Sequence, residues 1–172
     1  MGLISSKRLI VLLLSLLAIF VFVPPSQATK ISGTISSTLT IVDDSELVGD
    51  VTCTVEGGGP CIVIGASNIT LLLRGFTIST APAACTPDTS FNDAIDVIGM
   101  SNVAIRGPGL VQAFGGFGIF LFNDSKIKVQ QVTITDSCFS GIFLGATSDS
   151  DIEKNVSVRN SMGSENGPCG GT

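Results

Sequence analysis

The acids come first, because the chain has few other groups that could do chemistry. The segment Phe91-Asn92-Asp93-Ala94-Ile95-Asp96 places two carboxylates three positions apart. Glycoside hydrolysis needs two carboxyl groups flanking the bond, one as acid and one as base or nucleophile. Asp93 is the candidate for one of them, and Asp96 is near enough to assist. Asp149, Asp151 and Glu153 form the densest acidic turn. Oxygen-rich turns hold Ca²⁺, but this spacing matches no Ca²⁺ loop, so the turn reads as solvated. Asp93 and Asp96 read the same way, as exposed loop and strand-face residues, since Asp is seldom buried. The sequence contains no His, Trp or Tyr, which removes the usual general base. Of the basic residues in the repeats, Arg74, Arg106 and Arg159 are the cations a lyase would need. No catalytic residue, no metal site and no cofactor is assigned; Ca²⁺ is the only ion the acids would suit.

The elements that carry these residues are repeats. CIVIGASNITL from Cys61, AIDVIGMSNVAI from Ala94, GIFLFNDSKIKV from Gly118 and GIFLGATSDSDIEK from Gly141 superpose. Each begins with a small residue followed by Ile62, Ile95, Ile119 or Ile142. Two positions on stands Ile64, Val97, Leu121 or Leu144. A Ser follows after a turn (Ser67, Ser101, Ser125, Ser150), and two residues past it lies Ile69, Val103, Ile127 or Ile152. A weaker third strand is read in Phe76-Thr77-Ile78, Leu110-Val111, Val132-Thr133-Ile134 and Val156-Ser157-Val158. Apolar residues alternate with period 2, and no helical stripe interrupts them. A unit of three short strands has one apolar face and must bury it against its neighbours, so the array should coil, with equivalent residues stacked about 4.8 Å apart. The Ile anchors are spaced 33, 24 and 23 residues. The long first interval places a loop insertion near residues 79–92, rich in Pro, Thr and Asp. The expected fold is all-β, a parallel solenoid of about four to five rungs of roughly 24 residues. A two-sheet sandwich would explain the short strands but not the recurring Ser.

Strand side chains alternate in direction. If the Ile anchors face inward, Val63, Asp96, Phe120 and Phe143 face outward, and so do Gly65, Ile98, Phe122 and Gly145 two places on. Phe120, Phe122 and Phe143 then form an outward aromatic patch, of the kind that marks a contact surface. Packing under the loop near 79–92 is the competing expectation. Together with Asp93 and Asp96, these three Phe residues are the candidates for contact with a carbohydrate or partner.

The N-terminus reads as a secretory signal peptide over residues 1–28. Lys7 and Arg8 precede Leu9–Val23, an apolar run interrupted only by Ser15, and small residues follow Pro24-Pro25. The run is short for a membrane span, so membrane contact is expected only if this segment stays uncleaved. Export places the chain outside the cytoplasm, extracellular or periplasmic. Without Lys7 and Arg8 the nine cations fall to seven against fourteen acids, a net charge of −7. No nucleic-acid partner is expected from such a chain, because phosphate binding is mostly Lys/Arg neutralisation. Of the five cysteines, Cys53 and Cys61 are the easiest pair, closing the Gly-rich loop Glu56–Pro60. An odd count leaves at least one thiol without an internal partner.

These repeats resemble the right-handed parallel β-helix proteins of the pectin-lyase-like superfamily across most of residues 47–160. SNITLLLRGFTIS looks like their entry rung and AIRGPGLVQAFGGFGIFL like the rung after it. The resemblance implies an N-terminal cap with entry strands over 29–60, rungs over 61–172, and a C-terminal end without a closing element. It also supplies a chemical template. Residues 91–96 look like the Asn-Thr-Asp-Gly-Ile-Asp rung of polygalacturonases. Where the next family rung carries Asp-Asp-Cys this chain has Gly116-Phe117-Gly118, and where the family has Gly-His-Gly it has Phe139-Ser140-Gly141. Asp93 has a family counterpart; the paired acids and the His do not. The function expected is an exported, non-catalytic β-helix domain binding a polysaccharide or a cell-surface component. The alternatives are a polysaccharide lyase or hydrolase with its remaining acids beyond Thr172, and a structural or adhesive stalk.

Overall fold

The computed structural model describes residues 27–80 and 92–161. All but the last two residues of the segment read as a signal peptide, nearly all of the loop insertion and the C-terminal end lie outside them. Thirteen strands and one 3-10 turn, Glu56–Gly58, make up the described regular structure. Five short strands form one parallel sheet: β2 (Leu39–Ile41), β4 (Ile62–Ile64), β7 (Ile95–Ile98), β9 (Ile119–Phe122) and β11 (Ile142–Gly145). The second sheet runs β1 (Thr29–Ile35), β3 (Ser45–Cys53), β5 (Thr70–Leu72), β8 (Ala104–Gln112), β10 (Lys128–Thr135) and β12 (Asp151–Glu153). β6 (Thr77–Thr80) and β13 (Val156–Val158) flank its far half. Every strand pairing is parallel, and the chain alternates between the sheets, with β5–β6 and β12–β13 as successive strands of the same one, so the chain coils.

The Ile anchors stack as the pattern requires. Ile62, Ile95, Ile119 and Ile142 are partners in strict succession. The first three are fully buried, as are the aligned Ile64, Val97 and Leu121. The third strand also stands: Ile78, Val111 and Ile134 align and are buried. On the last described rung Ser157 takes this inner position, leaving Val156 and Val158 exposed.

The Ser column needs one correction. Ser101 pairs with Ser125, and Ser125 pairs with Ser148 rather than Ser150. Ser67 joins the column through its hydroxyl, which accepts from the Ser101 amide at 2.9 Å. The residues that follow confirm this register. Asn68, Asn102, Lys126 and Asp149 all hold left-handed φ between 51° and 64°, a conformation a turn demands and Asn tolerates better than most. Ser150 instead occupies the column of Ile127, whose amide it accepts at 3.0 Å, and Ile152 aligns with Val129. A small hydroxyl replaces an aliphatic side chain there because the last rung's turn keeps the six-residue spacing from its Ile anchor.

The first coil begins earlier than the repeat count suggests. β2 pairs with β4, and β3 pairs with both β5 and β6, so residues 39–53 form a rung. Only β1 lies before it within the segment read as cap and entry strands. Cys53 and Cys61 are disulfide-bonded, with Cα atoms 5.8 Å apart, tying the end of this rung to the start of the next. Cys138 is also disulfide-bonded.

Candidate functional site

The corner before the five-strand sheet brings the sequence candidates together. The Cys61 amide donates to the Asp93 carbonyl, and the Ala94 amide to that of Phe117. Asp93, Phe117 and Ser140 are thereby equivalent on successive rungs. One step along each strand, Val63, Asp96, Phe120 and Phe143 are register partners on the outer face.

The two acids are buried, contrary to the exposed reading: Asp93 is 9% exposed and Asp96 8%. Their carboxyl groups lie close enough to influence one another's ionisation. Asp93 Oδ1 also accepts the Phe117 amide at 2.5 Å. It fits there because residue 116 is glycine; a side chain at Gly116 would collide with Asp93 Oδ1. Asp96 Oδ1 has no hydrogen-bond partner among the described residues. Burial raises the Asp93 pKa to about 6 against the pull of the Phe117 amide. Burial, then the charge of Asp93, raises Asp96 to about 7. Both carboxyls thus hold their protons to higher pH than free acids do, while Asp93 accepts from the Phe117 backbone amide.

Around this pair lies a cluster of five phenylalanines. Phe120 and Phe143 stack with ring centroids 5.2 Å apart and planes 4° from parallel. Phe122 lies parallel to Phe120 at 6.1 Å. Gly145 leaves room for it, since a side chain there would press on the Phe122 and Phe143 rings. Phe117 is tilted against Phe120, Phe139 and Phe143 at 5.0–5.4 Å. Phe120 and Phe143 are half-buried by one another and by Phe117, whereas Phe122 is 44% and Phe139 37% exposed. Phe117 and Phe139 escaped the sequence reading because both sit in turns, where no strand alternation assigns a direction. Their offset from the small anchors Gly118 and Gly141 was the available signal.

The acidic turn after β11 is used locally. Gln130 Nε2 donates to Glu153 at 2.8 Å and to Asp151 at 3.4 Å. Among the described residues no three His, Cys, Asp or Glu side chains converge as metal ligands.

A family model described as a right-handed beta helix region matches residues 41–169. The chain belongs to the right-handed β-helix family. No curated protein and no solved structure matches it. The right-handed β-helix accounts for the parallel sheets and the stacked anchors, but a fold shared by many activities assigns none of them. In this β-helix a buried acid pair lies beside a phenylalanine cluster.

Proposed function

We propose that this is an exported, non-catalytic β-helix domain whose five-strand sheet binds a neutral polysaccharide on its outer face. The observation that carries this reading is the difference between the two outer faces. On the five-strand sheet the outward residues are Thr40, Val63, Asp96, Phe120 and Phe143, with Val42, Gly65, Ile98, Phe122 and Gly145 beside them. Ile98 is 49% exposed, and the one acid, Asp96, is buried. The outward column of the other sheet carries Glu46, Leu72, Arg106, Gln130 and Glu153, polar or charged at all but one place, with Lys128 and Asp151 paired alongside. An uncharged aromatic and aliphatic strip suits sugar C–H faces. A polyanion is disfavoured by the net charge of −7. The Cys53–Cys61 disulfide accords with an oxidising compartment.

The test is affinity electrophoresis and calorimetry with cello-oligosaccharides, β-1,3-glucan and polygalacturonate. Binding to a neutral glycan is expected, at least tenfold weaker in I98A/F122A, whose side chains are exposed enough that the melting temperature should fall by only a few degrees. Equal binding by that variant, or release of reducing ends from any of these glycans, refutes the proposal.

A further inference from the structure

Three asparagines open the pattern Asn-x-Ser/Thr: Asn68-Ile69-Thr70, Asn123-Asp124-Ser125 and Asn155-Val156-Ser157. In a chain that passes through a secretory compartment, this pattern is the acceptor for a glycan joined to the side-chain nitrogen. The pattern treats the three alike; the fold does not. Asn68 stands just before β5, exposed, with φ 64°. Its Oδ1 accepts from Asn102 Nδ2 at 3.0 Å, while its own Nδ2 makes no hydrogen bond among the described residues. A sugar on that nitrogen leaves Oδ1 and its bond in place. Asn123 follows β9 directly, exposed, with φ 57°. Its backbone amide donates to the Gly145 carbonyl at 2.9 Å, and its side chain makes no hydrogen bond among the described residues.

Asn155 is built into the coil instead. It lies between β12 and β13, both of which pair with β10. Its Nδ2 donates to the Val129 carbonyl at 2.7 Å, and its Oδ1 accepts from the Val132 amide at 2.9 Å. The side chain thus carries the rung-to-rung ladder across the gap between the two strands, and it is half-buried there. A sugar on Nδ2 would enter the space between that nitrogen and the Val129 carbonyl and break the ladder.

We propose that Asn68 and Asn123 are acceptor sites for N-linked glycans on the exported protein, and that Asn155 is not one in the folded chain. The donor is a lipid-linked oligosaccharyl pyrophosphate, brought by a transferase of the secretory compartment. The new bond joins the anomeric carbon to Nδ2. The bond from that carbon to the pyrophosphate oxygen breaks, the lipid pyrophosphate leaves with the electron pair, and Nδ2 gives up one proton to solvent. The sites rest on export, which is part of the function proposed above, and not on polysaccharide binding.

The experiment secretes the full chain from a eukaryotic host and removes its glycans with peptide N-glycosidase in ¹⁸O water, which converts each glycosylated Asn to labelled Asp. Mass spectrometry of the peptides should find the label at positions 68 and 123, with occupancy at least tenfold above that at 155. T70A and S125A keep the asparagine and remove the pattern, so each should lose one step of the electrophoretic shift of the secreted chain. S157A should leave the shift unchanged. A secreted chain bare at Asn68 or Asn123, or as fully occupied at Asn155 as at the other two, overturns the assignment. A second chain carries the host's own leader in place of residues 1–28. Secretion of that chain alone sinks the export reading, and its peptides still decide the acceptor sites.

Discussion

Replacing Phe120 by Ala measures how much the aromatic cluster holds the fold and how much it serves a surface. A fully buried Phe→Ala change costs about 3–5 kcal/mol. Phe120 is half-buried, so roughly half of that, about 2 kcal/mol, is the packing share. Its closest partners are Phe143, stacked at 5.2 Å, and Phe117, tilted at 5.4 Å. Aromatic pairs add about 0.5–1.5 kcal/mol each beyond buried area. The sum for F120A is about 3–5 kcal/mol. For a domain of this size that is a fall of about 6–20 °C in Tm. F122A, at 44% exposure and with one parallel neighbour at 6.1 Å, should cost about 1 kcal/mol or less. The assay is urea unfolding followed by far-UV circular dichroism, since the chain has no Trp or Tyr to report by fluorescence. A double-mutant cycle of F120A with F143A should return a coupling of about 1 kcal/mol. If F120A costs less than about 0.5 kcal/mol, or F122A costs as much as F120A, the division into a cluster that packs and an edge that binds is wrong.

Three further outcomes follow from the same structure. Gly118→Ala should cost about 1–3 kcal/mol, although Ala94 fills the equivalent place one rung below, because the added methyl would meet the Gly141 carbonyl oxygen at 2.6 Å; wild-type stability in the urea series would show the site has room. Reducing the Cys53–Cys61 bond, which spans eight positions, should cost about 2–3 kcal/mol, and non-reduced peptide mapping that finds both thiols free after export contradicts the pairing. The acid pair sets a pH slope. Both groups titrate near 3.8 unperturbed but near 6 and 7 in the fold, so the native state binds more protons across that interval. Their contribution to stability is complete at about pH 4, is lost as pH rises to about 7, and levels off above. Urea midpoints for wild type minus D96N should trace that decline, and a difference that grows with pH instead reverses the sign and the argument.

The coil was legible because its signal is redundant. Four copies of an Ile anchor at near-constant spacing leave few ways to bury one face, and the fold stacks them accordingly. The rung at residues 39–53 was harder to see. Its turn holds Asp43-Asp44 rather than Ser-Asn and is three residues shorter than the next one between register partners (Ile41 to Ser45 against Ile64 to Leu71), so it does not superpose on the others. The shift from Ser150 to Ser148 had a usable signal: six residues separate Ile95 from Ser101, Ile119 from Ser125, and Ile142 from Ser148. Adjacent serines and an Ile two past the wrong one concealed it. The directions of Phe120, Phe122 and Phe143 could be read, because they depend only on alternation. The burial of Asp93 and Asp96 could not. It depends on what crosses above them, and the absence of a side chain at Gly116 becomes informative only once the rungs are in register.

The disulfide also bears on mechanical strength. A coil pulled along its axis gives way from an end, each rung surrendering its length as its hydrogen bonds part. Cys53 and Cys61 bridge two successive rungs across eight chain positions that would span about 27 Å when taut. Their Cα atoms stay 5.8 Å apart under load. About 20 Å of chain at the first corner is thus withheld from extension, and the tension there passes through sulfur instead of the peptide loop. In a force trace the step from the N-terminal rungs should be shorter by that amount than the same step recorded in reductant.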